Sequence, residues 1–117
     1  MRRTLLIAAL VAGCTERVTV TAPAARPPPV FRASCSTPAL GVCTEYTDQA
    51  LALGEELLRA SCHGAWSPAH CPAPHQLGRC ALTTTHRFYY PGGDLDFSAA
   101  TAAKDCTELY QGSWAGN

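Results

Sequence analysis

Cysteine content is the feature that most restricts what this chain can fold into. Seven of its 117 residues are cysteines, and six of these lie in the later part of the chain, at Cys35, Cys43, Cys62, Cys71, Cys80 and Cys106. A domain of this size buries little apolar surface, so it commonly needs cross-links for stability. The six cysteines predict three disulfides, and disulfides form in exported proteins rather than in the cytosol.

The first residues have the pattern of an export signal. Arg2 and Arg3 give a positive start, and residues 5–11 form an apolar run. At about 1.5 Å per residue this run is too short to span a bilayer core of about 30 Å. A positive start followed by a short apolar run and small residues is typical of a signal peptide.

The segment Val11-Ala12-Gly13-Cys14 resembles the lipobox of bacterial lipoproteins, in which a branched residue and two small residues precede a cysteine. The resemblance implies that residues 1–13 are a cleaved signal peptide, and that acyl chains such as palmitate on Cys14 anchor the protein in a membrane. Thr15, rather than aspartate, follows the cysteine, as in lipoproteins sorted to the outer membrane. The alternative is an ordinary secretory signal with a chance cysteine.

Residues 14–34 are predicted to form an extended tether. They contain four prolines and show no apolar periodicity, and the run Pro27-Pro28-Pro29 favours polyproline II. We therefore expect the folded domain to occupy residues 35–117.

The first half of this domain predicts a short strand followed by a helix. Residues 44–47 are rich in β-forming side chains, and Thr47 or Asp48 can cap a helix. Apolar and small residues then recur at helical spacing over residues 49–62. Gly64 is suited to a left-handed cap at the end of this helix.

The second half repeats this order. Residues 80–90 are the strongest strand pattern in the chain, either as one strand or as a hairpin turning near residues 84–86. Ser98 can cap a second helix. We expect an α+β fold, a small disulfide-rich two-layer domain with two helices on a small antiparallel sheet.

The similarity of the two halves suggests a strand–helix duplication. Cys43 matches Cys80, Cys62 matches Cys106, and each helix is followed by a Gly-x-Trp segment. A helix that returns beside its strand brings the start of the strand near the end of the helix, which predicts the bridges Cys43–Cys62, Cys80–Cys106 and Cys35–Cys71. Fifteen pairings are open to six cysteines, and chance similarity of two amphipathic helices is the alternative to duplication.

The order Cys-Thr-Glu-Tyr-Thr, Gly-Ala-Trp, Cys-Pro, Tyr-Tyr and Gly-Ser-Trp resembles small six-cysteine domains of uncharacterised bacterial lipoproteins. The resemblance covers residues 35–117. It supports the disulfide-rich fold and implies no particular activity.

Charge argues against a nucleic-acid partner. From Cys35 onward there are four basic residues and eight acidic ones, a net charge of −4. A domain with this balance repels a phosphate backbone.

Cysteines and histidines are concentrated between residues 62 and 80, which raises a metal site as an alternative function. Zinc or copper would suit such ligands, but no Cys-x-x-Cys motif is present. If the cysteines form disulfides, only His63, His70 and His75 remain as metal ligands. An envelope metal-binding protein is therefore the second hypothesis.

A hydrolase is the third hypothesis, and no motif in the chain supports it. Neither a Gly-x-Ser-x-Gly nor a His-Glu-x-x-His motif occurs, and so small a cross-linked domain has little room for a deep pocket. We expect no catalytic residues and no cofactor.

Aromatic residues provide the sequence basis for a binding surface. Tyr89 and Tyr90 are neighbours on a strand, so they point to opposite faces and one should be exposed. Trp66 and Trp114, at matching places in the two halves, are more typical of packing anchors. The sequence thus predicts a membrane-anchored exported lipoprotein that serves as a structural or binding module of the cell envelope, with an unidentified protein or glycan partner.

Overall fold

A six-stranded antiparallel sheet carries short helices on one face and a loop on the other. The computed structural model describes Gly13 and residues 27–117. The strands are β1 (Phe31–Thr37), β2 (Val42–Thr47), β3 (Ala65–Ser67), β4 (Gly78–Ala81), β5 (Thr85–Tyr89) and β6 (Ser113–Gly116). The helices are α1 (Asp48–Leu51), α2 (Glu55–Ala60) and α3 (Ala99–Lys104), and α3 continues into one π-helical turn, Asp105–Leu109. The expected disulfide-rich α+β fold is confirmed.

The strand order β3-β1-β2-β5-β4-β6 divides the domain into two similar halves. In each half a hairpin is followed by a helical segment and then by a strand that returns to the first strand of the hairpin, so that β3 pairs with β1 and β6 pairs with β4. The two hairpins meet at the centre of the sheet through β2 and β5. The repeated unit is therefore hairpin–helix–strand, one strand longer at each end than the predicted strand–helix unit.

The register relates the two halves about the centre of the sheet, where Thr44 lies opposite Arg87. One row of paired residues crosses all six strands in the order Trp66, Cys35, Thr44, Arg87, Cys80 and Trp114. Cys35 is therefore the counterpart of Cys80, and the predicted match of Cys43 with Cys80 is wrong.

The mismatch arises because the first strand begins earlier than the sequence indicates. β1 starts at Phe31, inside the segment 14–34 that the sequence predicts as a tether. Arg32 and Ala33 give little β signal, but β2 and β3 pair with β1 on either side and this pairing makes it a strand. Residues 1–12 and 14–26, which include the predicted lipidation site Cys14, lie outside the described residues.

The disulfides are Cys35–Cys62, Cys43–Cys71 and Cys80–Cys106. The predicted Cys80–Cys106 bridge is confirmed, whereas Cys43–Cys62 and Cys35–Cys71 are wrong. Because β3 pairs with β1, the chain leaving α2 returns beside Cys35 rather than beside Cys43. Neighbouring strand residues point to opposite faces, so Cys43 lies on the face away from the helices and meets the loop there.

The helical face holds the main core, in the second half of the domain. Tyr89 is fully buried, with its ring edge-on to Phe97 at 4.9 Å and to Trp114 at 5.6 Å between centroids. Ala102 and Cys106 from the helical segment complete the cluster. Trp114 is thus a packing anchor.

The predicted helix over residues 49–62 forms as two short helices. Gly54, at a φ of 138°, separates α1 from α2. No residue of α2 is buried, and Leu53 and Leu57 are 83% and 73% exposed, so the expected apolar inner face is wrong here. Helical spacing is present, but the backbone conformation of Gly54 interrupts the helix and α2 buries no residue, although Cys62 joins the end of this segment to Cys35 in β1.

The predicted helix starts and the hairpin are present. Thr47 caps α1, and Ser98 caps α3 in a reciprocal box with Thr101. Residues 80–90 belong to the alternative hairpin, but its turn lies at residues 82–84 rather than 84–86, because β4 ends at Ala81 and β5 begins at Thr85. Within the described part of the chain, no helix is long and apolar enough to cross a membrane.

Candidate ligand-binding site

A loop of residues 68–77 lies across the face of the sheet opposite the helices; we call this the loop face. The Cys43–Cys71 disulfide joins the loop to β2. Ser34 Oγ donates to the Ala69 carbonyl at 2.7 Å, and the Tyr90 hydroxyl donates to the Pro72 carbonyl at 2.6 Å. The loop is therefore attached to the sheet at several points along its length.

Glu45, in the middle of β2, is the polar centre of this attachment. Glu45 is only 8% exposed to solvent. The Cys71 backbone N–H donates to Oε2 at 2.9 Å, and Nδ1 of His70 lies 3.0 Å from Oε1. Both carboxylate oxygens are thus used to hold the loop, which satisfies a charged group that would be costly to bury alone.

The same contact orients the His70 ring. The imidazole stacks on Phe31 with 3.8 Å between ring centroids and an interplanar angle of 22°. Phe31 is the first residue of β1 and follows the run Pro27-Pro28-Pro29, so β1 and the loop together supply a stacked aromatic pair.

The stacked pair of Phe31 and His70 borders a cavity of about 260 Å³, which we call the loop-face pocket. Its lining combines apolar, aromatic and ionisable residues: Pro29, Phe31, Glu45, Tyr46, Thr47, His70, Arg79 and His86. Sites that enclose a drug-sized molecule are typically about 300–1,000 Å³, so this pocket suits a small molecule or a terminal group.

Sheet register brings Arg79 and His86 to the pocket. His86 pairs directly with Glu45 across β5 and β2, and Arg79 lies on the neighbouring strand β4, opposite Phe88. Residues two apart on a strand share a face, so all three side chains lie on the loop face. Burial lowers the pKa of the His86 imidazole, Arg79 lowers it further, and Glu45 opposes the shift.

A second cavity, of about 240 Å³, lies at the other end of the loop. Four prolines line it, together with Ser36, Val42, His75 and Tyr90. Its apolar walls offer few directional contacts, so it defines a ligand less closely than the loop-face pocket does.

The predicted binding surface of Tyr89 and Tyr90 is only partly available. Tyr89 is fully buried and donates to Asp105 Oδ2 at 2.6 Å, so its assignment to a binding surface is wrong. Burial and the Asp105 hydrogen bond raise the pKa of Tyr89. Tyr90 is half-buried and lines the second cavity.

The predicted metal ligands do not converge. His70 is bonded to Glu45 and stacked on Phe31, whereas His63 follows α2 and His75 lines the second cavity. Across Gly13 and residues 27–117, no three histidine, cysteine, aspartate or glutamate side chains are grouped to hold an ion. All six cysteines of the domain are disulfide-bonded, so none offers a thiolate.

Sequence reasoning missed Glu45, Arg79 and His86. The one available signal is Glu45 itself, an acidic residue inside a β-prone stretch and two positions after a cysteine. Arg79 and His86 are seven residues apart in the chain, and only the hairpin turn places them on one face.

Comparison with known proteins gives no relative from which a function could be carried over. No protein family matches the chain, and no curated protein or solved structure matches it significantly. The resemblance to the six-cysteine domains of bacterial lipoproteins therefore stays a prediction.

Proposed function

We propose that this protein is an exported, lipid-anchored lipoprotein whose domain acts as a binding module of the cell envelope. The observation that carries the proposal is the pairing of all six domain cysteines in disulfides. Such bridges persist in oxidising compartments, which agrees with the export signal and the lipobox-like segment ending at Cys14.

The start of the domain at Phe31 supports the anchored arrangement. Residues 15–30 separate it from the proposed acylated cysteine. At about 3.1 Å per residue in an extended polyproline II conformation, this segment would reach roughly 50 Å. The domain would then stand clear of the lipid headgroups. The loop-face pocket, which is lined by Pro29, would lie where the tether joins the domain.

Binding is favoured over catalysis because the buried ionisable side chains are already hydrogen-bonded within the fold. Both oxygens of Glu45 accept hydrogen bonds from the loop, which leaves it poorly placed to take a proton from a substrate. The Tyr89 hydroxyl likewise donates a hydrogen bond to Asp105 Oδ2 at the edge of the core.

The anchoring proposal is tested by intact mass measurement on protein extracted from membranes. We expect a chain that begins at Cys14 and carries acyl groups, with six cysteines that react with an alkylating agent only after reduction. Cys14→Ser should abolish acylation. Gly13→Ala, which keeps a small residue before the cysteine, is the matched control and should be processed normally.

Two results would contradict the proposal. One is acylation that persists in Cys14→Ser. The other is alkylation of the domain cysteines without reduction, because free thiols would argue against an oxidising compartment.

A further inference from the structure

The loop-face pocket is lined by two polar side chains that have no hydrogen-bond or ion-pair partner among the described residues. Among the described residues, the Arg79 side chain makes no hydrogen bond and its guanidinium lies within 4.0 Å of no carboxylate oxygen, whereas Arg87 Nε pairs with Asp105 Oδ2 at 3.8 Å. Arg79 is exposed at the mouth of the pocket. A guanidinium offers five N–H donors in a planar fork that matches a carboxylate or phosphate.

His86 is the second unused group. Its side chain is half-buried, lines the pocket and makes no hydrogen bond within residues 27–117. A neutral imidazole provides one N–H donor. Together with Arg79 it would give an oxyanion donors from two adjacent strands.

Glu45 does not compete for these donors. Its oxygens already accept from Cys71 and His70, and its side chain is 10% exposed. Its charge nevertheless offsets that of Arg79, so the pocket is close to neutral overall. A dianionic phosphate would add two negative charges to this pocket, whereas a carboxylate adds one and fits the planar guanidinium fork of Arg79 with two parallel hydrogen bonds.

The remaining wall favours a flat apolar group next to that carboxylate. Phe31 and His70 are stacked at the side of the pocket, and Pro29 lies beside them. Aromatic side chains pack well against planar groups. The cavity of about 260 Å³ accommodates a ring and a carboxylate but not a large ligand.

We propose that the loop-face pocket binds a small aromatic or planar carboxylate, held by Arg79 and His86 and packed against Phe31 and His70. The proposal rests on the binding role proposed above and gives it a site and a ligand class.

Benzoate is a direct probe of this site, with benzamide as its neutral analogue and inorganic phosphate as the competing oxyanion. Each is titrated into the purified full chain with its disulfides intact, and binding is followed by chemical shifts of the histidine and aromatic side chains. We expect benzoate to bind at least tenfold more tightly than benzamide or phosphate, with the largest shifts at His86, His70 and Phe31.

Variants then assign the contacts. Arg79→Gln should weaken benzoate binding about tenfold or more, and His86→Phe should weaken it several-fold. Arg59→Gln is the matched control: Arg59 lies over Trp66 on the opposite face, and its loss should leave binding unchanged. Because Arg79 is exposed, its substitution should not disturb folding, which an unchanged unfolding midpoint verifies.

Equal binding of benzoate and benzamide, or unchanged benzoate affinity in Arg79→Gln, would overturn the carboxylate site. Tighter binding of phosphate than of benzoate would overturn the ligand class. These results are distinguishable from failure of the anchoring proposal, since acylation of Cys14 is measured separately by mass.

Discussion

Glu45 shows how a single residue of the sheet can hold the loop of residues 68–77 in place. A buried carboxylate is tolerated only when its lone pairs are satisfied. Glu45 meets that requirement with donors from the loop, 25 and 26 residues away in sequence. The loop is therefore held to the sheet by a charge-assisted hydrogen-bond pair as well as by the Cys43–Cys71 bridge.

Glu45→Gln should destabilise the domain by about 2 kcal/mol, because hydrogen bonds to a charged group contribute about 1.5–3 kcal/mol and the new amide N–H₂ would face donors. Urea unfolding with the disulfides intact measures the change. Glu55→Gln, on the exposed helix α2, is the control and should change stability by less than about 0.5 kcal/mol. Equal effects of the two substitutions would contradict the role given to Glu45.

Tyr89 makes the comparable hydrogen bonds in the core of the helical face. Its hydroxyl donates to Asp105 at 2.6 Å and accepts from Arg87 Nε at 3.2 Å. Burial is the main reason that the pKa of Tyr89 is raised, and the bond to Asp105 adds to it. The phenol is thus held neutral in the folded state.

This shift predicts how stability depends on alkaline pH. In the unfolded chain a tyrosine ionises near pH 10, whereas the folded state keeps the Tyr89 proton at higher pH. The contribution is therefore fully present below pH 10 and is lost as the pH rises above it. We expect the free energy of unfolding to fall above pH 10, and to fall less steeply in Tyr89→Phe. The same slope in both proteins would refute this assignment.

At the scale of elements, the repeated Gly-x-Trp segments have a packing origin. Gly64 and Gly112 each stand two residues before the tryptophan of the returning strand. A Cβ at Gly64 would overlap the Ser36 carbonyl, and one at Gly112 would overlap Cys80 Sγ. Gly64 is not the left-handed cap that the sequence predicts, because it is not among the glycines with positive φ.

Gly112→Ala and Gly64→Ala should each destabilise the domain by about 1–3 kcal/mol, since the added methyl group forces a backbone shift. Gly116→Ala is a matched control in β6, where the nearest atom to the new Cβ lies 3.5 Å away. Thermal unfolding of the three variants compares them directly. A Gly112→Ala protein as stable as Gly116→Ala would contradict the close-packing account.

The caps illustrate which elements local sequence can predict. Thr47 and Ser98 mark helix starts correctly because a cap depends on a side chain and the N–H groups two or three residues later. The extent of the helix after Thr47 was wrong, because Gly54 adopts a conformation that a regular helix excludes. Helical spacing on its own does not show whether a sheet is available to cover the apolar face.

At the scale of the whole molecule, the three disulfides close loops of nearly equal length, with sequence separations of 27, 28 and 26 residues. Chain entropy therefore gives each bridge a similar contribution, about 3.5 kcal/mol. The three bridges differ more in how far their cysteines are buried than in loop length. Cys80 and Cys106 have 0% exposure, whereas Cys62 is half-buried.

Stepwise reduction should follow this difference in access. With increasing reductant, followed by alkylation and peptide mapping, we expect Cys35–Cys62 to open first and Cys80–Cys106 last, because a thiolate must reach the sulfur that it attacks. The same maps test the pairing directly. Early loss of Cys80–Cys106, or any peptide joining Cys43 to Cys62, would contradict the structure.

The sequence by itself determined the properties that depend on composition and on near neighbours. Six cysteines in a short domain required three bridges, alternating β-prone and helical segments specified an α+β fold, and Thr47 and Ser98 fixed two helix starts. Each of these follows from residues a few positions apart, or from a count, so no knowledge of distant contacts was needed.

Only the tertiary structure decided which cysteines pair and which side chains share a pocket. The return of β3 to β1 placed Cys62 beside Cys35, and the register of β2 with β5 placed His86 opposite Glu45. A register shift of one residue would turn these side chains to the other face of the sheet. Such pairings depend on how strands far apart in the chain are ordered, and the local pattern of residues does not contain that order.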